Sequence, residues 1–166
     1  MGMITDLSII SQLGEKNEKV NYRFRSFLKS KDSDRLDRTV NELFHFYSSR
    51  IDCTKCGNCC TVLKPIILNA DIKTLAPLIN KTDKDSEIDY TVTDEDGDMH
   101  FKDLPCPFLV DKKCTVYDSR PEDCRSYPHL HKEDFLSRLF GVIDNYSICP
   151  IVFNVYEDLK NKFHFR

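Results

Sequence analysis

Glycine and proline are scarce, 5 and 7 residues in a chain of 166, which excludes a collagen-like repeat and a low-complexity or disordered polymer. No internal repeat, domain linker or biased tract is visible. No stretch approaches the roughly 20 consecutive apolar residues that cross a bilayer. The start, Met1-Gly2-Met3-Ile4-Thr5-Asp6, has neither the basic region nor the apolar run of a secretory signal, and Asp6 stands where an N-myristoylation site needs Ser or Thr. Lysine and arginine never run beyond pairs such as Lys112-Lys113, and the formal charge is -3. That balance argues against a nonspecific nucleic-acid binder, which needs a positive face to displace counterions. The expectation is a globular cytoplasmic protein with no membrane segment, and a composition 40% hydrophobic and 31% charged fits one domain of ordinary size.

Against these absences stand eight cysteines, four of them packed into Cys53-Thr54-Lys55-Cys56-Gly57-Asn58-Cys59-Cys60. In a reducing compartment thiols persist, and thiols at two-residue spacings point to metal rather than to a disulfide framework. A tight loop with cysteines three positions apart aims successive sulfurs inward, and Gly57 eases its turn. Cys53, Cys56 and Cys59 have that spacing, whereas Cys60, beside Cys59, projects elsewhere and suits a second centre. If all eight ionised around two divalent ions, the net charge would move from -3 to about -7.

The Cys-x2-Cys-x2-Cys run also matches the first three ligands of a bacterial ferredoxin cluster, whose fourth is a distant cysteine followed by proline. Cys106 and Cys149 both precede proline. Spacing therefore leaves zinc and iron open, including a 4Fe-4S cluster. The preferred grouping is Cys53, Cys56 and Cys59 with Cys149, and Cys60, Cys106, Cys114 and Cys124 together.

Helical periodicity organises the flanks. Ile4, Leu7, Ile10 and Leu13, continued by Val20, Phe24 and Leu28, predict a first helix. After a break at Lys31 to Asp34, Leu36, Val40, Leu43, Phe44 and Tyr47 predict a second, capped by Asp34. Pro65 makes Val62 to Leu68 an edge strand or extended segment. Asn69 or Asp71 opens a short helix, residues 81 to 88 read as a polar loop, and Tyr90-Thr-Val-Thr and Met99-His-Phe flank the turn Asp94-Glu-Asp-Gly97 as a hairpin. A polar turn falls at Asp111-Lys-Lys, and Pro121 occupies the first position of a helical turn holding Cys124. Phe135 to Ile143 form one helix, and Pro150 begins the last.

The predicted fold class is α+β, a mostly helical single domain with a metal-centred, loop-rich cysteine core and one or two short β-hairpins. Residues 1–50 would form a helical arm packed on the core, 51–152 the cysteine region and 153–166 a C-terminal helix.

Taken in order, Cys53-x2-Cys56-Gly-Asn-Cys59-Cys60, Pro105-Cys106-Pro-Phe-Leu109, Cys114-Thr-Val-Tyr117, Arg120-Pro121-x2-Cys124-Arg125-x-Tyr127-Pro128 and Cys149-Pro150 resemble the YkgJ-type cysteine cluster family. The resemblance spans about residues 50 to 152 and includes every cysteine. It implies a metal-binding protein that chelates zinc or iron through Cys53, Cys56, Cys59, Cys60, Cys106, Cys114, Cys124 and Cys149. The domain also looks related to the cysteine-rich part of flagellin lysine-N-methylases, which implies as an alternative an iron–sulfur or zinc enzyme of redox or methyl-transfer type. The chain is hardly longer than the cysteine domain, however, and shows no glycine-rich loop for S-adenosylmethionine.

Around the cysteines, His129 and His131 are candidate ligands or proton carriers, against a surface role. Arg120 and Arg125 bracket Cys124, either to offset thiolate charge or as carboxylate-bridged surface pairs. Asp94-Glu95-Asp96-Gly97-Asp98 lacks the twelve-residue calcium pattern and reads as a solvated hairpin tip. The apolar stripe of residues 4 to 28 would serve a protein partner or a homo-oligomer if it did not cover the core, which is the preferred reading. Metal ions are the partners that the sequence itself implies.

Overall fold

Asp6 starts the first helix by accepting hydrogen bonds from the Ser8 and Ile9 N–H groups at 2.9 and 3.0 Å, satisfying two donors that a helix leaves unpaired at its N-terminus. The computed structural model describes residues 2–165. Its helices are α1 Leu7–Leu28, α2 Ser33–Ser48, α3 Cys53–Cys56, α4 Cys59–Val62, α5 Asn69–Leu75, α6 Asp83–Tyr90, α7 Glu122–Ser126, α8 Leu139–Tyr146 and α9 Pro150–Lys162. The strands β1 Thr91–Thr93 and β2 Met99–Phe101 form one antiparallel pair, and β3 Leu109–Val110 and β4 Lys113–Cys114 the other. At 57% helix with two small strand pairs among the described residues, the chain has the mostly helical α+β fold that the sequence predicts. The backbone divides into two compact units, Met1–Asp52 with Pro128–Arg166, and Cys53–Tyr127.

In the first unit, α9 is the central helix. Pro150 supplies its fixed φ at the first turn. Ile151, Val152, Phe153, Val155, Tyr156 and Leu159 are all buried, so the helix is enclosed on most of its circumference, by α1, α2 and α8. Each of the larger apolar side chains contributes about 1.5–3 kcal/mol on burial. The polar groups that go in with them are paired: Tyr156 donates to the Asn21 carbonyl at 3.1 Å, and Lys160 donates to Asn21 Oδ1 and Glu157 Oε1, both at 2.6 Å. Of the α1 stripe, Ile10, Phe24 and Leu28 are buried and Val20 is exposed, so most of it faces this core. Gly14 lies against Ser147, where a Cβ would come within 2.5 Å of the Ser147 Cβ.

The second helix is capped by Asp32, whose carboxylate accepts from Arg35 N–H at 2.7 Å, not by Asp34 as the sequence suggests. The helix expected over 135–143 begins only at Leu139. Phe135 is buried in a preceding turn, where Asp37 accepts from the Asp134 and Phe135 N–H groups at 2.8 and 3.0 Å. Arg138 fixes that turn by donating to the His129, Lys132 and Glu133 carbonyls. Among the described residues no single helix is long and apolar enough to cross a membrane. Only α8 and α9 together reach that length and composition, and they are bent by 113°.

The second unit is built on a small core of Ile67, Ile72, Leu75, Phe101 and Phe108, with Tyr90, Met99, Val116, Cys106 and Cys114 packed around it. Phe108 stacks on Tyr90 and meets Phe101 edge-on, with centroids 5.7 and 5.5 Å apart. The β1–β2 register pairs Thr91 with Phe101 and Thr93 with Met99, closed by the predicted acidic turn. The extended segment before α5 joins this hairpin through an Ile66–His100 bridge and the Ile67 N–H to Met99 carbonyl bond at 2.7 Å. Residues 83–88, expected within a loop, and Tyr90, expected in the first hairpin strand, belong to α6, Asp83–Tyr90. Thr82 caps it by accepting from Asp85 N–H at 3.2 Å, a local signal that the absence of an apolar stripe obscures. Pro121 is the N-cap of α7 rather than its first helical residue.

Candidate metal centre

The cysteine loop is two single helical turns, α3 and α4, joined by Gly57 and Asn58. Gly57 has φ +61, and a Cβ there would stand 2.8 Å from the Lys112 carbonyl oxygen. Only glycine permits both this conformation and this approach. The loop is thereby pressed onto the β3–β4 turn, whose central residues Asp111 and Lys112 have φ 49 and 63, the signs a two-residue hairpin turn of type I′ requires. A second link runs from the Cys106 N–H to the Cys60 carbonyl at 2.8 Å.

Cys114 sits on β4 opposite Leu109, and the Leu109 N–H returns to the Cys106 carbonyl at 2.9 Å. Cys124 is carried by α7, a five-residue helix whose N-cap is a proline and makes no side-chain hydrogen bond. Its start is held instead by buried Asp71: Oδ1 accepts from Glu122 N–H at 3.0 Å, and Oδ2 accepts from Leu68 N–H at 2.9 Å. Asp123 accepts from Ile66 N–H at 3.1 Å, a further link between α7 and the extended segment.

These tethers set four thiols near enough for their charges to act on one another. Burial first, then the nearby charges of Cys60 and Cys114, pushes Cys106 up to about 11. Cys124 is pushed up to about 12 by burial, with Cys106 and Cys60 next. Cys114 is raised by burial and by Cys60. Cys60 is lowered to about 7 by the hydrogen bond with the Cys59 side chain and, more weakly, by the Arg120 charge, against the cost of burial. Cys60, Cys106, Cys114 and Cys124 thus lie in one another's electrostatic field, with Cys59 touching the group through Cys60. Cys53 is exposed and Cys56 half-buried on α3, while Cys149 is buried at the head of α9 in the first unit. Among the described residues none of the eight cysteines is in a disulfide.

Four ionised thiols could not share a half-buried site without a cation, since each would raise the others. Soft sulfur donors in that setting suit zinc or iron.

Two arginines flank Cys124 and differ. Arg125 is bridged to Glu122 Oε2 through Nε at 3.1 Å and Nη2 at 2.6 Å, and its Nη1 donates to the Arg120 carbonyl at 2.7 Å. Arg120 stacks its guanidinium 3.7 Å over the Tyr117 ring. Its Nε and Nη1 are buried and have no hydrogen-bond partner.

His129 and His131 belong to the first unit, where the His131 ring lies 5.6 Å from that of Phe44. Sequence reasoning gave His100 no weight, yet its ring, Asp94 and Asp98 place three ligand-type atoms within 4.8 Å of one another. The strand period of two, which puts residues 98 and 100 on one face, was the signal available. These groups already serve the hairpin: Asp94 Oδ1 accepts from Asp96 and Asp98 N–H, and its Oδ2 lies 3.0 Å from His100 Nε2. The Asp98 N–H first, and then His100, hold the Asp94 carboxyl below the usual carboxylate range.

Comparison with curated proteins and with solved structures gave no match. A family model does match, over residues 52–140, more than half of the chain. That span includes Cys53, Cys56, Cys59, Cys60, Cys106, Cys114 and Cys124 and stops short of Cys149. With its cysteine loop, its β3–β4 turn and the cysteine of α7 all inside the matched residues, the chain belongs to the CxxCxxCC family, described as a "putative zinc- or iron-chelating domain".

Proposed function

We propose that this protein binds metal through cysteine thiolates, with Cys60, Cys106, Cys114 and Cys124 holding a zinc ion or an iron–sulfur cluster. Cys53, Cys56, Cys59 and Cys149 enter as further ligands on the strength of the sequence pattern. The observation that supports the reading is proximity: thiols from four separate segments feel one another's charge, and two of them, Cys106 and Cys114, pack against a core of five buried side chains. Membership in a family described by zinc or iron chelation supports the same reading. When bound, zinc would cross-link the four segments, and an iron–sulfur cluster would add one-electron transfer. The chain's own contribution is to hold the sulfurs in place through Gly57, the Cys60–Cys106 backbone bond and Asp71. A reducing compartment such as the cytoplasm is where these thiols persist.

Anaerobic purification, followed by metal analysis and an absorption spectrum, tests the proposal. A colourless protein carrying zinc, or a brown one with the broad visible band of thiolate-bound iron, is the expected outcome. Protein that emerges without metal and takes up neither zinc nor iron would refute it.

A further inference from the structure

We propose that Arg120 is the charge-balancing residue of the Cys60–Cys106–Cys114–Cys124 centre, its two orphaned N–H groups donating to metal-bound sulfur. The inference rests on the metal-binding function proposed above.

Arg120 and Arg125 are near neighbours in sequence, and only Arg125 has its charge answered by a carboxylate. Among the described residues Arg120 is the one side chain with two buried nitrogens lacking a partner. A buried guanidinium N–H without an acceptor is unfavourable, and native structures rarely retain one without a use for it. The side chain is not simply loose. Tyr117 holds the guanidinium plane from one side, and the Arg120 carbonyl is fixed by Arg125 Nη1 at 2.7 Å.

Its charge lies close enough to act on Cys60 and Cys114, thiols from two different segments. Four thiolates on a divalent ion leave a residual charge of about -2. A guanidinium offsets part of that charge and supplies directed N–H donors of the kind that orient and stabilise metal-bound sulfur. The orphaned donors are therefore a cost in the metal-free protein that the loaded centre removes. This predicts effects of opposite sign in the two states.

The test compares the full chain with Arg120→Met, which keeps an unbranched apolar stem and removes the charge and the N–H donors, and with Arg120→Lys, which keeps the charge and loses the planar fork. Zinc affinity is measured by competition with a chromophoric chelator, and melting is followed on the metal-free proteins. The expected result is a zinc Kd raised about 10–100-fold in Arg120→Met, a smaller rise in Arg120→Lys, and a metal-free melting temperature in Arg120→Met equal to or above that of the parent. A parent-like Kd in Arg120→Met overturns the proposal. So does a metal-free melting temperature that falls along with the affinity, which would make the role structural. Should Arg120→Met not fold, Arg120→Lys decides: a raised Kd with unchanged metal-free melting supports the proposal, and a parent-like Kd overturns it. A parent protein that takes up no zinc overturns the metal-binding reading as well.

Discussion

Gly57 shows how one residue ties the cysteine loop to a distant turn. Its φ of +61 and the 2.8 Å approach of a Cβ to the Lys112 carbonyl act together. Gly57→Ala is expected to cost on the order of 2–3 kcal/mol, read as a lower urea midpoint for the metal-free protein. Gly97 supplies the control, because its φ of +88 strains a side chain while nothing lies within 4 Å. Gly97→Ala then carries the conformational penalty alone, about 1–2 kcal/mol. Equal losses in the two variants would show that the loop does not press on the β3–β4 turn. The sequence made the need for glycine beside Cys56 legible, since a two-residue spacing between cysteines demands a tight bend. What that glycine meets was not legible, because the Lys112 carbonyl arrives through tertiary packing. The expected divergence of Cys60 from Cys59 is not what the structure shows, because the two side chains hydrogen-bond to each other.

At the scale of elements, periodicity located α1, α2 and α9, where apolar groups recur at helical spacing and become the buried face. It failed for α6, which has little apolar face to show, and it misplaced the start of α8, because Phe135 is buried from a turn rather than from a helix. The short α7 was recognisable as a helical turn, but its anchorage was not. Asp71 joins the start of α5 to the start of α7 with one carboxylate oxygen for each N–H. Charge-assisted bonds of this kind contribute about 1.5–3 kcal/mol each, and loss of a shared acceptor strands two donors. Asp71→Ala is expected to destabilise the metal-free protein by roughly 2–4 kcal/mol. Asp71→Asn, which keeps one acceptor oxygen, should lose less. Chemical denaturation of the two variants distinguishes these outcomes, and equal, negligible losses would show that α7 does not depend on this anchor.

For the whole molecule, the thiols set a pH dependence whose sign depends on metal. Cys106 and Cys124 stand at about 11 and about 12 in the folded protein, above the ordinary 9.0, and Cys114 is raised as well. A raised thiol stabilises the fold fully below pH 9.0 and loses that contribution as pH climbs through its folded value. Cys60, lowered to about 7, works oppositely: its contribution is present above 9.0 and lost as pH falls through 7. With three groups against one, the metal-free protein should lose stability between pH 9 and about 11–12. Buried Tyr47, Tyr146 and Tyr156 are also raised, but they are common to both forms. The difference between zinc-loaded and metal-free melting curves therefore isolates the cysteines. The loaded form, its thiolates already ionised, should lack their alkaline loss and instead release metal on acidification. An identical alkaline profile in both forms would contradict this.

The four gathered thiols are spread along the chain at positions 60, 106, 114 and 124. A ribosome delivers Cys60 first, and the set stays incomplete until the last of the four has left the exit tunnel. If the four hold one ion as proposed, a shorter nascent chain can present only part of the ligand set. Capture by the full set then has to wait for the segment that carries α7.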